Sequence, residues 1–358
     1  MNIFRATESY EQWLGTHVKL VHRDLRMKHE QMRVSSFSFL RATFYRWMQV
    51  WREAVPEAAT APRVLAVGDL HIENFGTWRD CEGRLIWGIN DFDESSRLPY
   101  TLDLIRLVAS AHLAIEEEQL ALRPRAASEA VLEGYLDGFE AGGETFTLGE
   151  QHRWLRDIAV ARLRDPTVFW RKLDTSPSQP VDLPTAVLRA AQELLPARGL
   201  ACRRRHRVAG LGSLGHARIV LIGLWGGGRV VREAKQLAPS ACLWAGEPAS
   251  SRQIRYSEIL RRAVRVPDPY VRAFEGWLIR RLAPDCSRIE ISSLPAKRDE
   301  GRLLYAMGWE TANIHLGSRA SLAAIKNDLR KRQGSWLHRA AREMAESVRR
   351  DWKKWRSG

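Results

Sequence analysis

The 358-residue chain is 45% hydrophobic and 27% charged, enough to bury one large core or two modest ones, which excludes disorder and small disulfide scaffolds. Its 56 Lys and Arg against 42 Asp and Glu leave a net charge of +14, a bias toward anionic partners such as nucleotides, nucleic acid or acidic surfaces. Cys81, Cys202, Cys242 and Cys286 lie far apart with no CxxC pair, which argues against a zinc ribbon or dense disulfide framework and for a reducing, cytoplasmic setting.

The amino-terminal MNIFRATESYEQW lacks the apolar stretch of a signal peptide, and the most apolar run, Ile219 to Trp225, is too short to cross a bilayer. Neither secretion nor a transmembrane segment is expected. From Tyr10 to about Ala54 the pattern is helical, with Phe37, Leu40, Phe44, Met48 and Trp51 forming one apolar stripe. Arg63 to Val67 and Arg84 to Ile89 read as short strands, separated by a turn that includes Arg79, Asp80, Glu82 and Gly83. A long helical stretch is predicted from Thr101 to about Arg171. Asp174 to Pro184, with three prolines and no periodicity, reads as an exposed connection near a domain boundary. Beyond the basic run Arg203, Arg204, Arg205 and Arg207, strands are predicted at Ala217–Trp225 and Arg229–Ala234, joined by a Gly226–Gly228 hairpin. Helical patterns return after Ser250 and occupy most of Leu303 to Trp355, and no internal repeat is visible.

Two clusters carry chemistry. The first is Gly68-Asp69-Leu70-His71-Ile72-Glu73-Asn74, followed by Asn90-Asp91-Phe92-Asp93-Glu94. Phosphoryl transfer needs a carboxylate beside the acceptor hydroxyl and oxygen ligands that hold magnesium against phosphates. Asp69 is the candidate base, Asn74 and Asp91 the candidate magnesium ligands, and Asp93 the reserve ligand should the register differ by two. Carboxylates at strand ends also serve as caps and turn formers. The joint pattern points past that: strand, Asp69 to Asn74, hairpin, Asp91, then Asp103 opening an apolar helix as a structural residue. His71 between acids also fits a metal-dependent phosphoesterase, but the ten histidines show no paired ligand spacing. His315 reads as structural.

The second cluster is Gly210-Leu211-Gly212-Ser213-Leu214-Gly215, followed by strand, turn, strand and Lys235. A dinucleotide-binding loop would lead into a helix, whereas these glycines lead into the β-branched Ala217–Ile222. Gly210, Gly212, Ser213 and Gly215 are therefore expected over nucleotide phosphates, with Lys235 reaching them and Glu258 pairing with Lys235. The bland alternatives are a solvated edge lysine and an exposed ion pair for Glu258.

Asp69 to Asn74, Asp91 and Asp103 resemble the catalytic half of the aminoglycoside phosphotransferase and protein kinase superfamily. More closely, Lys28, Met32, Ser35, Phe37, Phe39, Arg41, GDLHIENFG, NDFDE, LDLIRL, GLGSLG and Lys235 resemble the uncharacterised bacterial family called domain of unknown function 2252. Ser36, Ala42 and Gln236 depart from its usual Pro, Gly and Glu. The resemblance implies an α+β, two-lobed, kinase-like fold in circular permutation, because the catalytic segment precedes the glycine loop. Residues 1–200 would form the helical lobe, 201–300 a small antiparallel nucleotide lobe, and 301–358 helices returning to the first. It implies an ATP- and magnesium-dependent phosphotransferase acting on an unspecified hydroxyl acceptor.

Two other classes compete: an inactive, pseudokinase-like nucleotide-binding regulator, and a basic nucleic-acid-binding protein. From Lys326 to Gly358 eleven Lys and Arg face four Asp and Glu, a net of +7 interleaved with Trp336, Trp352 and Trp355. Such a helix suits nucleic acid. It equally suits an amphipathic helix docked through its tryptophans, the reading preferred here.

Overall fold

The computed structural model describes residues 1–149, 151–160, 166–175, 182–248, 250–286 and 299–358. The chain opens with helices α1 (Ile3–Gly15), α2 (His22–Val34), α3 (Ser36–Ala42), α4 (Phe44–Ala54) and α5 (Pro56–Ala59). Side chains of Asn2 and Ser35 accept the Arg5 and Ser38 N–H groups at 3.0 and 3.1 Å and so start α1 and α3. The predicted apolar stripe is buried throughout, from Phe37 to Trp51.

Strands β1 (Arg63–Ala66), β2 (Phe75–Arg79), β3 (Leu85–Ile89) and β4 (Ser96–Pro99) follow. The two runs read as neighbouring strands belong to different sheets. β1 pairs antiparallel with β4, whereas β3 pairs with β2 across a turn in which Asp80 Oδ1 accepts the N–H groups of Glu82 and Arg84. Next, α6 (Tyr100–Glu116) is buried on every side from Tyr100 to Ala114 and forms the axis of the main core.

The predicted continuous helix to Arg171 is interrupted. Glu118 takes a left-handed φ of 57°, α7 (Pro124–Glu140) restarts at a proline, and β5 (Phe146–Thr147) adds a third strand beside β3. Then come α8 (Arg153–Val160) and α9 (Pro166–Asp174). Of the predicted connection, residues 176–181 lie outside the described residues, and α10 (Thr185–Glu193) begins directly after Pro184.

A five-stranded antiparallel sheet comprises β6 (Cys202–His206), β7 (Arg218–Trp225), β8 (Gly228–Gln236), β9 (Arg272–Phe274) and β10 (Trp277–Leu282), in the order β6-β7-β8-β10-β9. The β7–β8 turn uses Gly226 and Gly227 at φ of 55° and 78°, as a two-residue hairpin requires. The short α11 (Ala241–Trp244) follows β8, and of the helical pattern predicted after Ser250 the described residues up to Cys286 form α12 (Tyr256–Arg262) and then β9 and β10. One sheet face packs on Val187, Ala190 and Ala191 of α10, and the other on Leu173 of α9.

The chain ends in α13 (Glu300–His315), α14 (Leu322–Lys331) and α15 (Trp336–Ser357), with α13 lying along α7 and α15 along α6. Trp336 and Trp355 are buried; Trp355 stacks on Phe4 and donates to the His29 carbonyl. These two rings are committed to the core, while the half-buried Trp352 donates to the Arg33 carbonyl at 3.4 Å, so the nucleic-acid reading of this helix loses two of its three stacking groups. Among the described residues no helix is long and apolar enough to cross a membrane, and all four cysteines are free.

Candidate functional site

Asp69 leaves β1 through Gly68, whose φ of 84° and contact with the Glu94 carbonyl leave no room for a Cβ. Asp103, in the first turn of α6, accepts the Val67 and Gly68 N–H groups at 2.7 and 2.9 Å and is met by His315 Nε2 at 3.0 Å. Asp103 and His315 are thus the structural brace that the sequence implied.

One turn along α6, the fully buried Arg106 approaches Asp69 Oδ1 with Nε at 2.9 Å and Nη2 at 2.5 Å. Its guanidinium lies over the rings of Phe44 and Trp47, 4.9 and 4.8 Å from their centroids. Burial raises the Asp69 pKa, and the Arg106 charge opposes that rise.

Asn74 Nδ2 donates to the carbonyls of Asp69 and Asp91 at 3.1 and 3.2 Å, which ties the two acidic segments together. Its Oδ1 is buried without a hydrogen-bond partner. Lys235, 1% exposed near the end of β8, lies 3.2 and 3.4 Å from the Asp91 oxygens and pairs also with Asp93 Oδ2. Burial pushes Asp91 up, but Lys235 and a hydrogen bond from Asp93 outweigh it and hold Asp91 well below the carboxylate range. Burial and the Asp91 charge push Asp93 up. Asp93 Oδ1, like Asn74 Oδ1, is buried and unpartnered.

Magnesium prefers hard oxygen donors, and one amide oxygen with two carboxylates, two of these oxygens being unsatisfied, fits it. Among the described residues no group of three or more His, Cys, Asp or Glu forms a metal site, so any cation site here depends on the Asn74 amide.

Glu258 does not meet Lys235. It pairs with Arg255 at the N-cap and Arg262 in the last turn of its own helix at 2.6 and 3.1 Å, and with Arg97 at 3.8 Å. The carboxylates that neutralise Lys235 come instead from the 90–94 loop.

The glycine segment also differs from an open loop. Gly210 and Gly215 take φ of 76° and 103°, and Leu211–Ser213 form a single 3-10 turn between them. Lys28 Nζ donates to the Gly212 carbonyl at 3.1 Å, and the Val21 N–H to that of Gly215 at 2.8 Å. A Cβ on Gly212 would stand 3.1 Å from the Arg41 carbonyl and 3.3 Å from Asp69 Oδ2. The turn therefore lies on Asp69, over a gap of about 60 Å³. Arg218 Nη2 donates to Ser213 Oγ at 2.7 Å and holds the turn from the sheet side. Beyond it a cavity of about 1260 Å³ opens between the sheet, α12 and the β2–β3 hairpin, and both spaces share His71, Asn74, Asp91 and Gly210. His71 Nδ1 accepts the Glu73 N–H at 3.2 Å and Glu73 pairs with Arg41 at 2.6 Å, so this pair shapes the loop.

Sequence reasoning missed Arg106, legible only as the one cation in the apolar run LDLIRLV, one turn after Asp103. It also missed Glu233, which shares a strand face with Lys235 by two-residue alternation. No curated protein and no solved structure matches the chain. Residues 20–166, which carry Asp69, Asn74, Asp91, Asp93, Asp103 and Arg106 but not the glycine turn or Lys235, match the family described as "Uncharacterized protein conserved in bacteria (DUF2252)".

Proposed function

We propose that the chain is an ATP- and magnesium-dependent phosphotransferase acting on a hydroxyl acceptor, built as a two-lobed kinase-like fold in circular permutation. The observation that carries this reading is the meeting of Lys235 with Asp91, 144 residues away in sequence, beside the unpartnered oxygens of Asn74 and Asp93, with Asp69 and Asp93 on the small gap and Asn74 and Asp91 on both that gap and the large cavity. In this reading Asn74, Asp93 and Asp91 would hold the metal. Magnesium, when bound, neutralises charge on the phosphate oxygens. Asp69 orients the acceptor hydroxyl through the oxygen not held by Arg106. Lys235 exchanges a carboxylate for a phosphate oxygen, and the Gly210–Gly215 turn closes the site against water.

A second reading, a nucleotide-binding regulator without transfer, draws on the Arg106 pair and the Gly212 contact that cover Asp69. The test is thermal unfolding with and without ATP and excess magnesium on wild type, Lys235→Ala and Asp91→Ala, with γ-phosphate release followed in parallel for wild type and Asp69→Asn. Nucleotide at one hundred times its Kd stabilises the fold by about 2.7 kcal/mol. A wild-type shift diminished in both variants, with turnover abolished by Asp69→Asn, is expected. Stabilisation without any turnover selects the regulator, and folded protein that no nucleotide stabilises overturns both.

A further inference from the structure

Arg207, Arg218 and Arg280 converge on one carboxylate, Glu233, which is fully buried at the centre of the sheet. Arg280 Nε lies 2.8 Å from Oε2, Arg218 Nη1 lies 3.3 and 3.4 Å from the two oxygens, and Arg207 Nη1 pairs with Oε1. Four chain segments supply the cluster: Arg207 just past β6, Arg218 on β7, Glu233 on β8 and Arg280 on β10. Burial alone would raise Glu233, but the three guanidiniums hold it well below the carboxylate range. Burial lowers Arg207, and the nearby Arg218 and Arg280 charges add to that.

Three fixed positive charges against one negative leave a local excess of two in a poorly hydrated place, an arrangement that a further anion would complete. The three arginines line the 1260 Å³ cavity, whereas Glu233 stands behind them and does not. Other acids on that wall are engaged: Asp91 with Lys235, Glu73 with Arg41, and Asp268 with the Tyr270 N–H. Glu233 and Lys235 are two residues apart on β8, so their side chains share one face about 7 Å apart along the strand. The cationic track thus runs from Arg280 to Lys235 and the two unpartnered oxygens.

We infer that Arg207, Arg218 and Arg280 form the seat of a polyphosphate group, which lies along the inner face of β7, β8 and β10 rather than beneath the Gly210–Gly215 turn. The turn cannot hold it while resting on Asp69, because the 60 Å³ beneath is too small for a phosphate chain. The inference deepens the phosphotransferase reading and rests on it for a nucleotide as the ligand, but the seat itself needs no transfer.

The experiment is calorimetric titration of the full chain with sodium tripolyphosphate, ATP and adenosine, at fixed salt. Variants are Arg207→Gln, Arg280→Gln, Glu233→Gln, and Lys354→Gln on the solvated face of α15 as a control for generic basic binding. Tripolyphosphate and ATP are expected to bind wild type and the control alike. Arg207→Gln and Arg280→Gln should each weaken both ligands about tenfold or more, as lost charge-assisted contacts do. Glu233→Gln leaves three arginines unopposed and should tighten binding, a sign that a merely structural ion pair would not produce. Should Glu233→Gln fail to fold, Arg207 and Arg280, with side chains 24% and 21% exposed, still decide the matter. Tripolyphosphate affinity equal to that of ATP assigns recognition to the phosphate chain, and weaker but arginine-dependent binding adds a nucleoside contribution. Folded arginine variants that bind like wild type overturn the seat, as does ATP binding with none for tripolyphosphate. Turnover separates the readings: arginine-dependent binding by a wild type that releases no γ-phosphate keeps the seat and sinks transfer, while wild-type turnover that Asp69→Asn abolishes but the arginine variants leave unchanged does the reverse.

Discussion

Arg106 is a cation removed from water, and what makes that tolerable is the Asp69 carboxylate, the Leu40 carbonyl and two aromatic faces. Removing one partner of such a pair strands the other, at a cost of about 3–5 kcal/mol. Arg106→Met should lower the urea midpoint accordingly, and adding Asp69→Asn should restore part of the loss. A single variant within about 1 kcal/mol of wild type would show that the pair is not carrying Asp69. Glu310 poses the same question without a strong partner. Its oxygens accept the Ile89 N–H at 3.2 Å and Asn313 Nδ2 at 2.7 Å, Arg265 stays 3.9 Å away, and burial pushes its pKa up to about 7. A carboxyl raised from about 4.5 keeps its full stability below that value and loses it as pH climbs through 7, by something on the order of 1–3 kcal/mol. Wild type should therefore be less stable at pH 8 than at pH 5, and Glu310→Gln should flatten the difference in urea midpoints; an unchanged slope would count against the assignment. Asp69, Asn74 and Asp91 were legible because chemistry repeats such residues at short spacings, and Lys235 because it follows the glycine segment by two strands. Arg106 and Glu233 depend on which faces meet, which spacing along one chain does not encode, whereas Arg255 and Arg262, three and four residues from Glu258, were readable as its local ion pairs.

Helices α7 and α13 approach closely enough for glycine to be a packing residue. A Cβ on Gly134 would overlap the Tyr305 carbonyl, and one on Gly308 the Val131 carbonyl, each backbone against backbone. Neither neighbour can swing aside as a side-chain end would. Gly134→Ala and Gly308→Ala should each destabilise by about 1–3 kcal/mol despite the better helix propensity of alanine. Gly149→Ala, with nothing within 4 Å of its Cβ, should be neutral or slightly stabilising, and chemical denaturation of the three variants checks the contrast. Equal effects at all three positions would mean that the helices separate easily. Strand identity was largely readable from β-branched runs and glycines, as the Gly226–Gly227 hairpin shows. Pairing was not: Arg63–Ala66 joins Ser96–Pro99 because α6 starts there and must return over the motif, a long-range demand absent from local pattern. The long helix predicted from Thr101 failed for a similar reason, since periodicity continues across Glu118 and Pro124 although the backbone cannot.

At the scale of the whole molecule the two ends of the chain share one core. Helix α15 buries Trp336, Leu337, Ala341, Met344, Ala345, Val348 and Trp355 against α6 and the amino-terminal helices, while Asp351 pairs with Arg46 at 2.7 Å. Its excess charge stands on the opposite face, where Arg342, Arg350, Lys353 and Lys354 are exposed. Each large buried side chain is worth about 1.5–3 kcal/mol, so the five largest together rival the 5–15 kcal/mol that holds a typical domain folded. Deleting Trp336–Gly358 should therefore abolish the cooperative unfolding transition rather than trim a tail. Converting Lys353 and Lys354 to Gln touches only the solvated face and should leave the midpoint within about 0.5 kcal/mol. Circular dichroism melts of the two variants separate the alternatives. If the deletion melts like the full chain, the helix is an appendage and its charge, not its tryptophans, becomes the feature that needs a partner. If the charge variant loses stability instead, the basic face is engaged with the fold.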